Sequence, residues 1–318
     1  MIQEIVEKLT FSLGVLAISL NLLAFALFRY RHTPKIDKYL IFLKWTRFPD
    51  LMVPLTTGVM TNFVQLYPFL GNASCGVCYW VQSSMLCNYM IMLALVVTLI
   101  NNIIRKLSYM FRYNVFVINK PTFHCTIFER YFTILGLLIL PTPFLAVAYS
   151  FPLERGEYNT YYKNVDILFE QFPESTHIIL LYKPEISLTN TCLIFITVGC
   201  IYLIMTIYIT IAWYAIPLEK KLKEAKKEGR GITNQKIVKA IFYLRLSIIL
   251  PVFFTLLPNF IIYLYFVFSR IPPNDKLSYV IYTPIMYQIY AVINPITIMY
   301  QGKLFAVKKR TIIMSIKR

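Results

Sequence analysis

The chain has 318 residues, of which 58% are hydrophobic and only 15% are charged. Soluble globular domains carry about 25% charged residues, so this composition argues against a soluble enzyme or binding module and indicates a membrane protein. The formal net charge of +17 is best explained by positive charge on one membrane face, because a basic nucleic-acid-binding protein is seldom this apolar.

Seven apolar stretches follow one another along the chain, and a helix needs about 20 such residues to cross a bilayer. They lie at about 11–28, 39–68, 78–104, 131–151, 186–216, 237–268 and 278–301, with a short tail at 302–318. No repeat or low-complexity tract separates them. We therefore predict that residues 1–318 form a single all-α membrane domain, a seven-transmembrane helix bundle.

Positively charged residues predict the orientation of this bundle, because Lys and Arg concentrate in cytoplasmic loops. With the N-terminus outside, 26 of the 32 Lys and Arg fall on the inner side and six on the outer side. The first ten residues, MIQEIVEKLT, hold two acids and one Lys, unlike the basic start of a cleaved signal peptide. We expect a retained first helix, an outer N-terminus and a cytoplasmic C-terminus in the plasma membrane.

Asn72-Ala73-Ser74 is a glycosylation acceptor sequence between the second and third spans, on the predicted outer side. Two interpretations stay open: a glycan on Asn72, or an unused sequon close to the membrane.

Catalytic motifs are not evident. The three histidines, His32, His124 and His177, show no metal-binding spacing, and no nucleophilic Ser or Cys stands in a recognisable triad motif. No glycine-rich phosphate loop is present either. We therefore predict that the chain is not an enzyme and has no cofactor or metal site.

Six cysteines allow two interpretations. Cys75-Gly-Val-Cys78 has the spacing of a redox or metal motif but lacks a second pair to complete four ligands. On an oxidising outer face, a disulfide from Cys75 or Cys78 to Cys192 would tie the third span to the fifth. In the alternative, all six cysteines are small apolar packing residues.

Asp50 lies within the second span, where an ionisable residue is a functional candidate by default. It forms either a local i, i+3 pair with Arg47 or a polar core with Asn21 of the first span and Asn294 of the seventh. Polar contacts between membrane helices contribute about 0.6 kcal/mol on average. Such a core would favour one helix arrangement without locking it, as a switch requires.

Two loops are long or strongly charged. The predicted third inner loop carries a basic helix-forming run over 220–227, which suits either a protein partner or anionic lipid headgroups. The predicted outer loop over 152–184 is long, acidic and aromatic. Loops of this length are functional or disordered, so it is either a lid over an outward-facing cavity or a solvated, mobile loop.

Four features resemble the nematode serpentine seven-transmembrane chemoreceptors, closest to class h and its relatives. They are Thr33-Pro34 leading to Asp50-Leu51, FERYFTILGLLILPTPFLAVAYSFP before the long outer loop, ITNQKIVKAI opening the sixth span, and Pro251-VFFTLL-Pro258 within it. The resemblance implies a G-protein-coupled receptor that detects a small molecule in the outer half of the bundle and signals to a heterotrimeric G protein. It also implies a role in olfaction or related sensory perception, in the membrane of a sensory neuron or its cilium.

The resemblance also suggests contact residues for the G protein. By position, Arg105 at the end of the third span would face the G protein, together with Lys236 and Lys239 of the sixth. The sequence departs from the usual receptor pattern in three ways. Arg105 does not stand in an acidic-Arg-aromatic triplet, Tyr300 follows Pro295 by five residues rather than three, and the long outer loop has no Cys.

Aromatic residues at the outer ends of the third and seventh spans, Tyr79, Trp80, Tyr282 and Tyr287, are candidates for the wall of an apolar ligand pocket. In the alternative they anchor the helices at the membrane interface or pack between them.

A transporter or ligand-gated channel is the second functional hypothesis. The spans hold few charges beyond Asp50 and show no repeat halves of the kind that many transporters have. A seven-span channel of the insect odorant type would need an inner N-terminus, which the distribution of Lys and Arg opposes.

Overall fold

The fold of the chain is taken from a computed structural model, which describes residues 2–30, 47–66, 71–118, 125–139, 152–162, 165–182, 198, 201–227, 234–258 and 283–306. The long helices are α1 (Ile2–Tyr30), α2 (47–54, continued by π-helical Leu55–Met60), α4 (Ser84–Phe116), α5 (Ile127–Ile134, continued by π-helical Leu135–Ile139), α8 (201–227, π-helical over Thr210–Ala215), α9 (Asn234–Pro251, continued by π-helical Val252–Leu256) and α10 (Thr283–Ala306). The short helices are α3 (Val77–Trp80), α6 (Tyr158–Tyr161) and α7 (Val165–Gln171), and the strands are β1 (Phe63–Leu66), β2 (Gly71–Ser74) and β3 (Ile178–Leu181).

Within these described ranges, helical segments overlap all seven stretches predicted from hydropathy. Three helical stretches, Gln3–Leu27, Ser84–Val115 and Ile201–Glu224, are both long and apolar enough to cross a membrane. Large apolar side chains on these helices are exposed, among them Leu22, Leu23, Ile201 and Ile204. Exposed apolar faces of this kind are stable in lipid rather than water, which indicates a membrane protein. The count of seven crossings and the orientation stay predictions.

Local signals move several helix ends away from their predicted positions. The second helix stops at Met60 rather than 68, because Asn62 takes a left-handed φ of 41° and the next residues form β1. A left-handed Gln82 (φ 56°) separates α3 from α4, so the third long helix begins at Ser84 rather than 78. Ser83 caps α4 by accepting a hydrogen bond from the Leu86 amide. The fourth helix begins at Ile127, four residues early, through a capping box between Thr126 and Glu129.

The segment predicted as an outer loop is folded and forms part of a cap. We define the cap as residues 63–66, 71–74, 152–162 and 165–182. Its strands form an antiparallel sheet in the order β1-β2-β3, with Val64 opposite Ala73 and Ala73 opposite Ile179. A separate hydrophobic core fills it: Val64, Leu66, Ala73, Leu153, Tyr158, Val165, Leu168, Phe172, Ile179 and Leu181. Within its described residues, the cap is therefore packed rather than a solvated loop, and the proposal of a lid stays open.

Tyrosine hydroxyls fasten this cap internally and to the bundle. The Tyr158 hydroxyl donates to the Ile179 carbonyl (2.9 Å), and the Tyr182 hydroxyl donates to Asn88 Oδ1 on α4 (2.8 Å). Burial raises the pKa of both hydroxyls, because an ionised phenolate would lose its hydration in these positions. Both groups therefore remain neutral donors at physiological pH.

Helices α1, α2 and α10 pack closely against one another. A Cβ atom added to Gly14 of α1 would lie 3.1 Å from the Cα atom of Gly58 in α2, so two glycines allow this approach. The Cβ position of Gly58 lies 2.8 Å from the Gln288 side chain of α10. Small residues at such contacts let membrane helices approach each other's backbones.

Four positive charges assigned to the inner side by sequence lie inside the bundle instead. Arg47, Lys106 and Arg112 are nearly fully buried, and the side chain of Arg105 is 16% exposed. Arg105, Lys106 and Arg112 lie inside because α4, predicted to end at 104, continues to Phe116. Arg47 lies inside because it pairs with Asp50 on α2. Without these four, 22 inner charges remain against six outer ones, so the predicted orientation keeps its support.

Candidate functional site

A buried cluster of charged and amide side chains lies between α1, α2 and α4. We call it the ionic core: Asn21, Arg47, Asp50, Asn101 and Arg105. Asp50 Oδ2 accepts from Arg47 Nη2 (2.5 Å), while its Oδ1 accepts from Asn101 Nδ2 (2.6 Å) and from Arg105 Nη2 (3.0 Å). One carboxylate thus accepts three hydrogen bonds from two helices, α2 and α4.

The first helix joins this core through Asn21. Its Oδ1 accepts from Arg47 Nη1 (3.1 Å), and its amide nitrogen donates to the Ala17 carbonyl (2.9 Å) and to the Ala291 carbonyl of α10 (3.3 Å). The two interpretations of Asp50 therefore coexist: Arg47 forms the local i, i+3 pair and also carries the connection onward to Asn21.

Asn294, the third predicted member of a polar core, lies near this cluster and outside its hydrogen bonds. It is buried on α10, about one turn beyond Ala291. Its amide nitrogen has no hydrogen-bond partner among the described residues. The structure thus brings Asn21 and Asp50 together, and leaves Asn294 as a buried polar neighbour on the adjoining turn.

The electrostatics of the core explain why its members are held together. Asp50 is 3% exposed and Arg47 is 2% exposed, so each would be strongly destabilised by burial without its partner. With one carboxylate and two guanidinium groups, the core carries a net charge of +1. The second guanidinium also stacks on an aromatic ring, since Arg105 lies 4.9 Å from the ring centre of Tyr290 on α10. The core therefore links four helices through charged and amide side chains.

Arg105 does not occupy the position predicted for it at the inner end of the third helix. It lies well inside α4, eleven residues before the helix ends at Phe116, and its guanidinium points to Asp50. In this structure, Arg105 binds Asp50, and its contact with a G protein stays a prediction. The backbones of Lys236 and Lys239 lie in the first two turns of α9, and their contact with a G protein stays a prediction.

A small cavity of about 30 Å³ lies between α4, α8 and α9. This volume has room for about two water molecules and is far below that of pockets for drug-sized ligands. The lining residues are Asn102, Arg105, Lys106, Tyr109, Thr206, Ile207, Thr210, Ser247, Ile248, Pro251 and Val252. The cavity lies beside the ionic core, between these three helices. It leaves room for a small shift of α9.

Lys106, next to Arg105, is a buried cation that the sequence assigned to an inner loop. Its ammonium donates to Thr133 Oγ1 on α5 (3.2 Å) and lies 4.6 Å from the ring centre of Phe132. Tyr202 of α8 stacks on the same ring and donates to the Phe132 carbonyl (3.0 Å). In the sequence, the only indication that Lys106 has a buried partner is that it directly follows Arg105.

The three described residues among the predicted pocket aromatics have different surroundings. Tyr79 donates its hydroxyl to the Ser175 carbonyl in the cap. Trp80 is 66% exposed and packs against Phe11 of α1 with ring centres 6.2 Å apart, which does not fit the wall of an enclosed pocket. Tyr287 is buried on α10, and Tyr282 lies outside the described residues. The ligand pocket itself stays a prediction.

Gln288 and Thr57 are buried polar residues that the sequence did not single out. Gln288 is fully buried on α10, and its amide donates to the Thr57 hydroxyl of α2 (2.7 Å). In the sequence, the only indication of this contact is that Gln288 places an amide side chain within the uncharged stretch of the seventh span. This contact forms a second polar link between α2 and α10, apart from the ionic core.

The predicted disulfide to Cys192 is corrected by the structure. Cys78 bonds to Cys87, with Cα atoms 5.3 Å apart, and so fastens α3 to the first turn of α4. Cys75 is a free thiol in contact with Asn62. Burial, followed by the nearby Glu7 carboxylate, raises the pKa of the Cys75 thiol. Cys192 lies outside the described residues.

Asn72, the acceptor residue of the predicted sequon, is buried in the centre of the cap sheet. It is 7% exposed and pairs with Gln65 on β1 and Leu180 on β3. A glycan attached to a side chain in this position would have to displace the packed strands. The folded structure therefore favours an unused sequon.

Comparison with solved structures identifies the fold. The chain matches a crystal structure of squid rhodopsin with a TM-score of 0.54 and 15% sequence identity, over 93% of this chain and 81% of that chain. This likeness shows that the chain has a rhodopsin-like helical fold. No family model and no curated protein matches the sequence.

Proposed function

We propose that the chain is a G-protein-coupled chemosensory receptor of the nematode serpentine class. It would detect a small molecule in the outer half of its helix bundle and signal to a heterotrimeric G protein from the plasma membrane of a sensory neuron or its cilium. The observation that carries this proposal is the fold shared with squid rhodopsin, a G-protein-coupled receptor, over 93% of the chain. The resemblance of its motifs to the serpentine class supports the narrower assignment.

The ionic core supports a switching role within this function. Asp50 joins α2 to α4, while Asn21 joins the same network to α1 and α10. Moving one of these helices exchanges a few short, charge-assisted hydrogen bonds for others, and such networks favour discrete arrangements over gradual deformation. A ligand shifts the balance between two arrangements only by its difference in affinity for them.

The cap supports a ligand site at one end of the bundle. It is anchored to α4 by the Tyr182–Asn88 hydrogen bond and by a buried cluster that includes Phe63, Leu180 and Ile91. A small molecule that enters the bundle from this end has to pass the cap. Opening and closing of the cap would then control access, in the manner of the lids that cover other binding sites.

The decisive experiment measures nucleotide exchange on a purified heterotrimeric G protein by the full-length receptor in nanodiscs. A panel of volatile and water-soluble small molecules is added, and the receptor is compared with its Arg105→Gln variant. We expect ligand-dependent exchange in the wild type and at least a tenfold smaller response in the variant, because Asp50 then loses its positively charged partner on α4. Lys8→Gln, an exposed change on α1, serves as the control and should respond like the wild type.

The transporter and channel hypothesis is tested by electrophysiology on cells that express the full-length chain. Ligand-evoked currents are recorded in excised patches without guanine nucleotide. Currents that persist under these conditions would contradict the proposal, because a receptor that acts only through a G protein needs GTP. Currents lost without GTP and restored by it would support the proposal.

A further inference from the structure

Three side chains with different metal-binding atoms meet where the cap touches α1. Glu7 comes from α1, Cys75 follows β2, and His177 precedes β3. Their carboxylate oxygen, sulfur and imidazole nitrogen atoms all lie within 4.8 Å of one another. His177 Nε2 lies 3.0 Å from Glu7 Oε1, and the side chains of these two residues are 7% and 13% exposed. The group is therefore held at a buried junction rather than scattered over a surface.

Neighbouring groups orient each of the three side chains. The imidazole Nδ1 of His177 is hydrogen-bonded to the Thr176 hydroxyl (2.7 Å), which in turn donates to the Pro173 carbonyl (3.0 Å). The Thr176 contact fits a hydrogen on Nδ1, and Nε2, which forms the hydrogen bond with Glu7, is the ring nitrogen that would bind a metal ion in place of this hydrogen bond. A partner of this kind on the second ring nitrogen is the usual outer contact of a metal-binding histidine.

Asn62 orients the other side of the junction. Its left-handed backbone (φ 41°) places its amide where it donates to the Glu7 carbonyl (3.0 Å) and to Cys75 Sγ (3.2 Å). Gln3, one turn before Glu7, donates to the same Oε1 that faces His177 (2.9 Å). The Glu7 carboxylate and the Cys75 sulfur are thus both held in place by amide donors in this structure.

We propose that Glu7, Cys75 and His177 bind a divalent transition-metal ion of the zinc(II) type. Sulfur, imidazole nitrogen and carboxylate oxygen are the three ligand types that zinc takes, whereas calcium and magnesium prefer oxygen alone. Zinc bonds of about 2.0–2.3 Å place tetrahedral ligand atoms roughly 3.5 Å apart, so side-chain movements of about 1 Å bring this group to that geometry. Three protein ligands leave the fourth position for water or for a donor atom of a bound molecule.

The bound ion would join the cap to the N-terminal helix. Among the described residues, the contacts across this junction include hydrogen bonds of His177 with Glu7 and of Asn62 with the Glu7 backbone. Metal bonds would replace the first of these and hold the cap on α1, so metal occupancy would control how readily the cap opens. This inference rests on the geometry of the junction and does not depend on the proposed receptor activity.

The test uses full-length protein in nanodiscs, stripped of metal by a chelator and titrated with Zn²⁺ or Co²⁺ alone. We expect one tightly bound Zn²⁺ per chain, a rise in Tm, and a cobalt–thiolate charge-transfer band with Co²⁺. Loss of one ligand should weaken binding more than the ~10–100-fold that outer contacts contribute. We therefore expect Cys75→Ser and His177→Gln each to weaken Zn²⁺ binding more than about 100-fold, and Cys75→Ser to abolish the cobalt band.

Cys125→Ser is the matched control, because Cys125 is the other free thiol among the described residues. It should leave Zn²⁺ affinity and the cobalt band unchanged. Absence of a cobalt–thiolate band in the wild type would overturn the proposal even if a variant failed to fold. Equal Zn²⁺ binding by wild type and by folded Cys75→Ser would also overturn it and would identify the junction as a hydrogen-bonded packing contact.

Discussion

Asp50 illustrates how a single charged side chain is accommodated inside an apolar bundle. Burial of an isolated carboxylate is unfavourable by several kcal/mol even after the protein relaxes. Here, Arg47, Asn101 and Arg105 together satisfy both carboxylate oxygens. The two guanidinium groups depend on Asp50 in the same way, so the stability of the group depends on all of its members being present.

Asp50→Asn is therefore expected to destabilise the protein strongly, although it preserves the size and shape of the side chain. The variant leaves Arg47 and Arg105 buried without a carboxylate, and breaking a buried pair in this manner costs about 3–5 kcal/mol. The measurement is thermal unfolding in nanodiscs, followed by tryptophan fluorescence. Glu4→Gln, which removes an exposed ion pair with Lys8, is the control and should leave Tm unchanged. An equally small effect of Asp50→Asn would show that the ionic core does not stabilise this conformation.

At the residue scale, the sequence predicts contacts between residues that are close along the chain, but it does not predict contacts between residues that are far apart along the chain. The spacing of Arg47 and Asp50 predicts their pairing because i, i+3 residues lie on one helix face. The contact of Asp50 with Arg105 depends on the register of two helices, and α4 begins six residues later than predicted. Glu7 and His177 are 170 positions apart in the sequence, so no local spacing predicts that they lie close to each other and to Cys75.

At the element scale, hydropathy locates the long helices and does not detect the cap sheet. A stretch of 20 apolar residues is a strong signal, whereas strands of four residues such as β1 and β2 carry almost none. Three of the four residues of Phe63–Leu66 are apolar, and the strand lies within the second predicted span. The change from helix to strand occurs at Asn62, a residue type that tolerates a left-handed backbone.

The connection between α2 and the cap depends on Gly76. Its amide donates to the Thr61 carbonyl (2.9 Å), and an added Cβ would lie 2.6 Å from the Met60 carbonyl oxygen. Because rigid backbone surrounds this position, Gly76→Ala is expected to destabilise the cap by about 1–3 kcal/mol. Hydrogen exchange of the amides of β1 and β2 should become faster than in the wild type.

Gly156 provides the matched control for this prediction, since an added Cβ there meets nothing within 4 Å. Gly156→Ala is expected to keep or slightly raise stability, by up to about 1 kcal/mol, because alanine lowers the entropy of the unfolded chain. Equal exchange rates in the two variants would contradict the close contact at Gly76.

The Cys78–Cys87 disulfide, which joins α3 to α4, leads to a second prediction at the element scale. Closing a loop of about ten residues stabilises the folded state by about 2–3 kcal/mol in the chain-entropy description. Cys87→Ser should lower the free energy of unfolding by that amount, and Cys125→Ser should not. Peptide mapping without reduction should recover the fragments containing Cys78 and Cys87 as one linked species. Recovery of Cys78 linked to Cys192 instead would restore the pairing predicted from sequence.

At the scale of the whole molecule, orientation rests on charge rather than on any single contact. After the four buried cations are set aside, 22 Lys and Arg lie on the predicted inner side and six on the outer side. An error of one crossing would exchange the sides of every later loop and remove this asymmetry. The cap would lie outside, and the basic C-terminal half of α8 inside.

The last prediction tests this orientation in intact cells with a small epitope tag at each terminus. The N-terminal tag should bind antibody before permeabilisation and the C-terminal tag only afterwards, because an odd number of crossings separates them. A cysteine introduced at Gly156 of the cap should react with a membrane-impermeant maleimide in intact cells, whereas one at Lys223 of α8 should not; each is measured against the parent protein without the added cysteine. Reversed tags would contradict the charge argument and favour a channel of opposite orientation. Two tags on the same side would require an even number of crossings, which is incompatible with a seven-helix receptor.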